Sequence, residues 1–336
     1  MIFNHRAILL AAVFCLTASM GRLAAECQGH DLFPALKSEA PAAYAAIEAA
    51  ASAMPFRHGK LFRLAHAGTE PSYVFATLHL SDPRITSFSE RLRAALTNSK
   101  IVALESVETG DVLRQAVANN GAAWRRVTVA GDNQRADRLL DKTDFAHLEA
   151  LAARKGIAQS AVHTFKPSVL ALMLDIPSCA TGLPGAKTYV DALAANIARE
   201  NKIPTVGLES MIEQLEILDD LPRDTGRALL IAILRQADRG EDVIETMVAR
   251  YAEGDIGGSL AWLRSNEPIP GVTQAQIPQA FVDRLITVRN QRMRGRALPL
   301  LERGGAFIAV GASHLPGTEG LLALFEKAGF KVEVIE

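Results

Sequence analysis

A charge imbalance is the first thing this sequence lacks. Lys and Arg number 36 against 37 Asp and Glu, a formal net charge of −1. That balance gives no electrostatic footprint for phosphates, and no nucleic-acid partner is expected. No internal repeat of solenoid type appears, which removes the stacked-repeat architectures. Cysteine is limited to three residues, and none stands beside a histidine in a recognisable nucleophile motif, so thiol catalysis finds no support. No HExxH or other compact metal motif occurs, so any metal site must be assembled from distant segments. Beyond the amino terminus no apolar run approaches the roughly 20 residues of a membrane span. What is left, 49% hydrophobic and 22% charged over 336 positions, is ordinary globular composition with enough apolar material for a core.

The amino terminus departs from that average. MIFNHRAILLAAVFCLTASMGRLAA has a short basic start (His5, Arg6), an apolar run from Ala7 to Leu16, and then small residues. This is the three-part form of a secretory signal peptide over residues 1–25, with cleavage after Ala25, although Leu23 is bulky for its slot. The expectation is a secreted, periplasmic chain with no stable membrane span after cleavage. A lipoprotein reading through Cys27 is disfavoured by Glu26 before it. Cys15 would leave with the signal, and Cys27 and Cys179 would remain in an oxidising compartment. A Cys27–Cys179 disulfide is expected to pin the new terminus to the body, the alternative being two free thiols.

Residues 26–58 read as an amino-terminal helical segment, alanine-rich from Ser38 to Ala53. Two strand-like runs follow, Lys60–His66 and Tyr73–Leu80, joined by turn residues in a hairpin. A helix near Ile85–Thr97 leads to Lys100–Leu104, apolar throughout as a strand buried on both faces would be. From Asp111 the apolar spacing is helical, interrupted by a short strand at Lys202–Leu208 and resuming from Met211 to about Arg303. Strands at Ala306–Val310 and Lys331–Ile335 close the chain around a helix at Glu319–Ala328. The expected fold is α/β (α+β): one domain, residues 59–336, whose central mixed sheet is built from the amino- and carboxy-terminal segments, with a large helical insertion at about 108–300.

Two patterns recur at strand ends. YVFATLHLSDP places His79 just beyond an apolar run, and FIAVGASHLPG does the same with His314. ALES (103–106) and GLES (207–210) each set a glutamate, Glu105 and Glu209, directly after a buried run. A carboxylate there must be solvated, paired or bound to a cation. Singly, a strand-end histidine is a turn residue and a strand-end glutamate a helix cap. Together, two imidazoles and two carboxylates suit a divalent ion such as zinc, manganese or cobalt. Two histidines and one glutamate could ligate it and leave a position for water, with the other glutamate as general base. The segment Gly311-Ala312-Ser313-His314-Leu315 starts like the nucleophile elbow GxSxG, but Leu315 stands where a small residue is needed. His58, His66, His147 and His163 lack such a context and read as surface or packing residues.

These blocks resemble the TraB/GumN family, which also includes the TIKI and pheromone-shutdown proteins. GASHLPGTEGLLALFEKAGFKVEVI is similar to its carboxy-terminal signature, ATLHLSDPRI to its first histidine segment, and ALESVE to its strand-end acidic segment. TYVDALAANIARENKIPTVGLESMIEQL matches the central segment, and RNQRM (289–293) the Arg-Asn pair of its long helix. The resemblance runs from about residue 60 to 336. Of the family's two GxxH motifs, the second is intact (Gly311 to His314), while the first begins with Ala76 and so loses a permissive backbone position before His79. The resemblance implies an erythromycin-esterase-like α/β core and, by its TIKI branch, metal-dependent peptidase activity on a peptide or small-molecule substrate. His79, Glu105 and His314 carry over as metal ligands, and Glu105, Glu209 and Arg289 as catalytic groups. Arg289 would clamp a carboxylate or an oxyanion, or else form a helix-surface salt bridge. The alternative function is a non-catalytic binding or accessory protein of the cell envelope, to which Ala76 points. The GumN label, taken from a polysaccharide gene cluster, establishes no sugar chemistry.

Overall fold

Apolar tetrads such as Ile101–Leu104 can be buried on both faces only inside a sheet covered by helices, and that is where they lie. The computed structural model describes residues 28–80, 82–108, 110–175, 190–265 and 279–336. The expected signal peptide (1–25) and both halves of the expected Cys27–Cys179 disulfide lie outside these residues.

Six strands form one mixed sheet: β1 (Leu61–Ala65), β2 (Ser72–Thr77), β3 (Ile101–Leu104), β4 (Thr205–Gly207), β5 (Ala306–Gly311) and β6 (Lys331–Val334). Their order is β4-β3-β5-β2-β1-β6. β1 runs antiparallel to both β2 and β6. The four strands β4, β3, β5 and β2 are mutually parallel, so their carboxyl ends share one edge of the sheet, the edge at which open α/β sheets gather ligands. The expected hairpin and the pairing of first and last segments are both present. β2 stops at Thr77, three residues short of the expected end, so His79 lies in the loop beyond it.

The middle strand β5 is buried from Ala306 to Val310. The edge strand β6 instead carries Lys331 and Glu333, charges that blunt an open edge against further pairing, and Glu333 also pairs with Arg63 of β1 at 3.0 Å.

The helical insertion does not stand apart as one mass. Two of its helices, α1 (Val190–Glu200) and α3 (Arg289–Arg303), bury Val190, Ala194, Ile197 and Met293, Ala297, Leu301 in the same core as the sheet. A second core, among Leu148, Leu170, Leu230 and Ile233, holds other helices of the insertion together, and a third, among Phe33, Leu36, Ile47 and Trp262, joins the amino-terminal helices to it. The helix α2 (Met211–Asp219) adds Leu218 to the second core and is started by a capping box in which Ser210 and Glu213 satisfy each other's backbone N–H groups. The expected helix at 85–97 is two, Pro83–Thr86 and Glu90–Thr97, the second capped by Ser89. The short helix α4 (Leu321–Glu326) packs beneath β6. Among the described residues no helix is long and apolar enough to cross a membrane.

Candidate active site

The parallel register sets the site. Leu104 of β3 lies opposite Gly207 of β4 and Ala309 of β5, while Thr77 of β2 lies opposite Gly311. The ladder continues past the strands: Glu209 N–H donates to the Glu105 carbonyl at 2.8 Å, and Glu105 N–H to the Ala309 carbonyl at 3.1 Å. His79, Glu105, Glu209 and His314 therefore all emerge at the carboxyl ends of four neighbouring strands. Their repetition in sequence corresponds to nearness in space.

His314, in the turn after β5, is buried. Its Nδ1 meets Asn290 Oδ1 at 2.7 Å. The amide of Asn290 donates in turn to the carbonyls of His314 and Glu319 at 3.2 and 2.8 Å. Those two carbonyls fix which end of the amide is NH2, so Oδ1 accepts and His314 Nδ1 carries the proton. Burial pushes its pKa down to about 3, so the ring is neutral and Nε2 keeps its lone pair. His79 is the opposite case, its side chain 55% exposed. Its Nδ1 meets Asp191 Oδ2 at 2.7 Å and its Nε2 lies 3.8 Å from Glu105 Oε2. Burial opposes its charge, but the hydrogen bond to Asp191 and the nearby Glu105 carboxylate outweigh that and hold its pKa well above the ordinary imidazole value. Solvent at the exposed ring screens part of this effect.

Glu105 is buried and fully engaged. Oε1 accepts from Arg289 and from Gln214 at 3.2 Å, and Oε2 from the Gly311 N–H at 3.1 Å. Desolvation would raise its pKa, yet the neighbouring His79 imidazole and the Arg289 charge hold it well below the usual carboxylate range. Glu209 has no exposed side-chain surface and accepts from Arg289 Nε at 2.7 Å and Arg292 at 3.1 Å. Burial nonetheless pushes its pKa up against the pull of both guanidiniums.

Arg289 is only 6% exposed and bridges the two glutamates. It is neither the helix-surface residue nor the free clamp that the sequence allowed. It follows directly on a π-helical turn, Arg284–Val288, a distortion found often at functional sites. Arg292 and Arg296 continue along the same face of α3 to Glu209 and Glu213, in keeping with three- and four-residue spacing.

The groups converge at Gly311. A Cβ there would lie 3.3 Å from Glu105 Oε2, 3.4 Å from His314 Cδ2 and 3.8 Å from His79 Nε2. Gly311 has φ −52°, so glycine serves here for space and not for an unusual backbone. Among the described residues no three His, Cys, Asp or Glu side chains are already gathered as a ready-made ion site; the three groups form a looser cluster around that space. A cavity of about 230 Å³ is lined in part by Arg126, Glu216, Arg284, Val288 and Arg292 and by none of His79, Glu105 and His314. No hydrogen bond joins Ser313 to a histidine among the described residues.

The doubt over Ala76 is resolved by its position. It lies within β2, buried, with its carbonyl accepting from the Tyr251 hydroxyl at 2.7 Å, and it is not among the residues of positive φ. Alanine fits such a strand position without strain. Sequence reasoning missed Asp191, Asn290, Gln214 and Arg292. Asn290 and Arg292 lie in the RNQRM block and Asp191 and Gln214 in the central block, but only their placement in the fold gives them partners.

Comparison with known proteins agrees with this frame. The profile of the TraB/PrgY/gumN family matches residues 61–334, from the first residue of β1 to the last of β6. No curated protein and no solved structure matches the chain.

Proposed function

The chain belongs to the TraB/PrgY/gumN family, and we propose that it is a secreted, periplasmic, metal-dependent hydrolase acting on a peptide or amide bond. The observation that carries this reading is the convergence of His79, Glu105 and His314 on Gly311, each imidazole tied at Nδ1 by an oxygen acceptor. Metal-ligating histidines are usually held in that way, with the other nitrogen left for the ion. The donor set, two imidazoles and one carboxylate, suits zinc, manganese or cobalt.

When bound, such an ion supplies a Lewis acid and lowers the pKa of a coordinated water. The protein's own residues divide the remaining tasks. His314 offers a lone pair that burial keeps unprotonated. His79 stands on the solvent side, where substrate would arrive, and must release its proton to ligate. Glu105 contributes its carboxylate, and Arg289 offsets the cost of burying that charge. Glu209 supports this arrangement by holding Arg289; with no exposed side-chain surface, it is poorly placed for the general-base role expected of it. The peptide or amide preference comes from the TIKI resemblance. The accessory-protein reading drew on Ala76, which occupies a regular strand position and gives it no support.

The test is the metal content of the purified protein after incubation with zinc, manganese or cobalt and dialysis, beside the His79→Ala/His314→Ala double variant. Near-stoichiometric metal in the native protein, lost in the variant, is expected. A native protein that remains metal-free would end the reading.

A further inference from the structure

We infer that Asp191 is the positioning residue of this site: acting through His79, it holds the proton on Nδ1 and leaves Nε2 as the donor facing Glu105 and Gly311. The inference deepens the metal-site reading and rests on it for the purpose of the device, though not for the device itself.

Asp191 lies in the first turn of α1, 112 residues from His79 in sequence. Both of its oxygens are used at the end of β2. Oδ1 accepts from the Thr77 hydroxyl at 2.8 Å, and Oδ2 meets His79 Nδ1 at 2.7 Å. A carboxylate is all acceptor, so the nitrogen facing it must carry the hydrogen. An acid placed only to favour the helix end would need neither partner. Thr77 is fully buried and is the last residue of β2, which gives Asp191 a fixed anchor two residues before the histidine. Its helix is equally fixed, since Val190, Ala194 and Ala198 are wholly buried against the sheet. Asp191 therefore joins two rigid elements, and the imidazole hangs from that joint.

The need is unequal for the two histidines. Packing encloses His314, so its ring has little freedom even before Asn290 is considered. His79 is half exposed and lies in a loop, where an unheld imidazole samples several rotamers and both tautomers. The stronger, charged acceptor stands behind the histidine that packing leaves loose. Outer partners of this kind raise the basicity of a ligand and typically change metal affinity by about 10–100-fold.

The first measurement needs no metal. Nitrogen-15 spectra of the histidine rings are recorded at alkaline pH, where His79 is neutral, for the native protein, Asp191→Ala and Asp191→Leu. The native His79 is expected to carry its proton on Nδ1, and both variants to shift toward the Nε2–H form, while His314, held by Asn290, serves as the unchanged control. The second measurement is zinc affinity by competition with a chromophoric chelator. A loss of about 10–100-fold is expected in Asp191→Ala, partly restored by added formate, which a merely structural role would not give. Thermal melts establish that each variant is folded, and Asp191→Leu, close in shape to aspartate, serves if Asp191→Ala is not. An unchanged His79 tautomer in a folded variant overturns the inference, as does unchanged zinc affinity where the native protein binds zinc. If the native protein binds no metal, the proposed function falls and the tautomer spectra alone decide the role of Asp191.

Discussion

Replacing Arg289 by methionine tests whether the buried charge network holds the sheet edge together. The side chain is enclosed and bridges Glu105 and Glu209. Removing one partner of a buried ion pair costs about 3–5 kcal/mol, because a charge is left uncompensated. Here neither carboxylate is wholly abandoned: Glu105 keeps Gln214 and the Gly311 N–H, and Glu209 keeps Arg292 at 3.1 Å. The lower end, about 3 kcal/mol, is therefore expected. At about 2–4 °C per kcal/mol for chains approaching this size, the midpoint should fall by roughly 6–12 °C in a calorimetric melt at neutral pH. The pH dependence gives a sharper check. Loss of the guanidinium raises the pKa of both glutamates in the folded state only, so the folded variant binds protons more tightly than the native fold does. By linkage, its deficit must shrink as pH falls. Adding Glu209→Gln to Arg289→Met should recover part of the loss, since burial already favours the protonated form of Glu209. A shift below about 2 °C, under 1 kcal/mol on the same scale, or a deficit that widens in acid, would refute the reasoning.

Gly311→Ala should separate site from fold. Its backbone angles suit alanine, so the melt should stay within about 1 kcal/mol of native, while the added methyl enters the space shared by Glu105, His314 and His79 and zinc binding should fall by an order of magnitude or more; native affinity in the folded variant would disprove convergence there. The second outcome concerns acid stability in metal-free buffer. The folded-state pKa of His314 is depressed from 6.5 to about 3, so its contribution is complete above pH 6.5 and is lost as pH falls toward 3, at up to about 1.4 kcal/mol per unit. His314→Gln should flatten that limb in urea titrations, and identical slopes would show that the histidine is not buried neutral.

The sheet could be read from sequence because its central strands are nearly all apolar, and the repeated strand-then-histidine plan tied the two chain ends together. The helices were harder. Periodicity tells which face of α1 or α3 is apolar, but not whether that face meets the sheet or another helix. Both pack on the sheet, so the expected insertion divides among three cores. The break at Ser87–Ser89 was missed because Phe88 continues the apolar pattern, while the first helix stops at Ser87, whose backbone is extended, and Ser89 starts the next, its hydroxyl accepting from the Leu92 N–H at 3.0 Å.

At the site, sequence could identify residues that stand at strand ends, because that position is itself a local pattern. It could not identify their holders. Asp191 looks like any polar residue near the start of a helix, and Asn290 stood out only as half of the Arg-Asn pair; each acquires its role from a strand end elsewhere in the chain. The same limit explains Arg289, whose role as a clamp of a carboxylate or an oxyanion came from the family resemblance and whose two carboxylate partners only the fold supplies. The two strand–histidine units are thus alike in sequence but not in chemistry. One ring is buried, neutral and held by an amide; the other is exposed, basic and held by a carboxylate. An ion bound by both would take His314 as it stands but would have to displace a proton from His79. Above the range in which His314 titrates, the affinity of such an ion should therefore depend on pH through His79, and the exposed unit would be the one at which its binding is controlled.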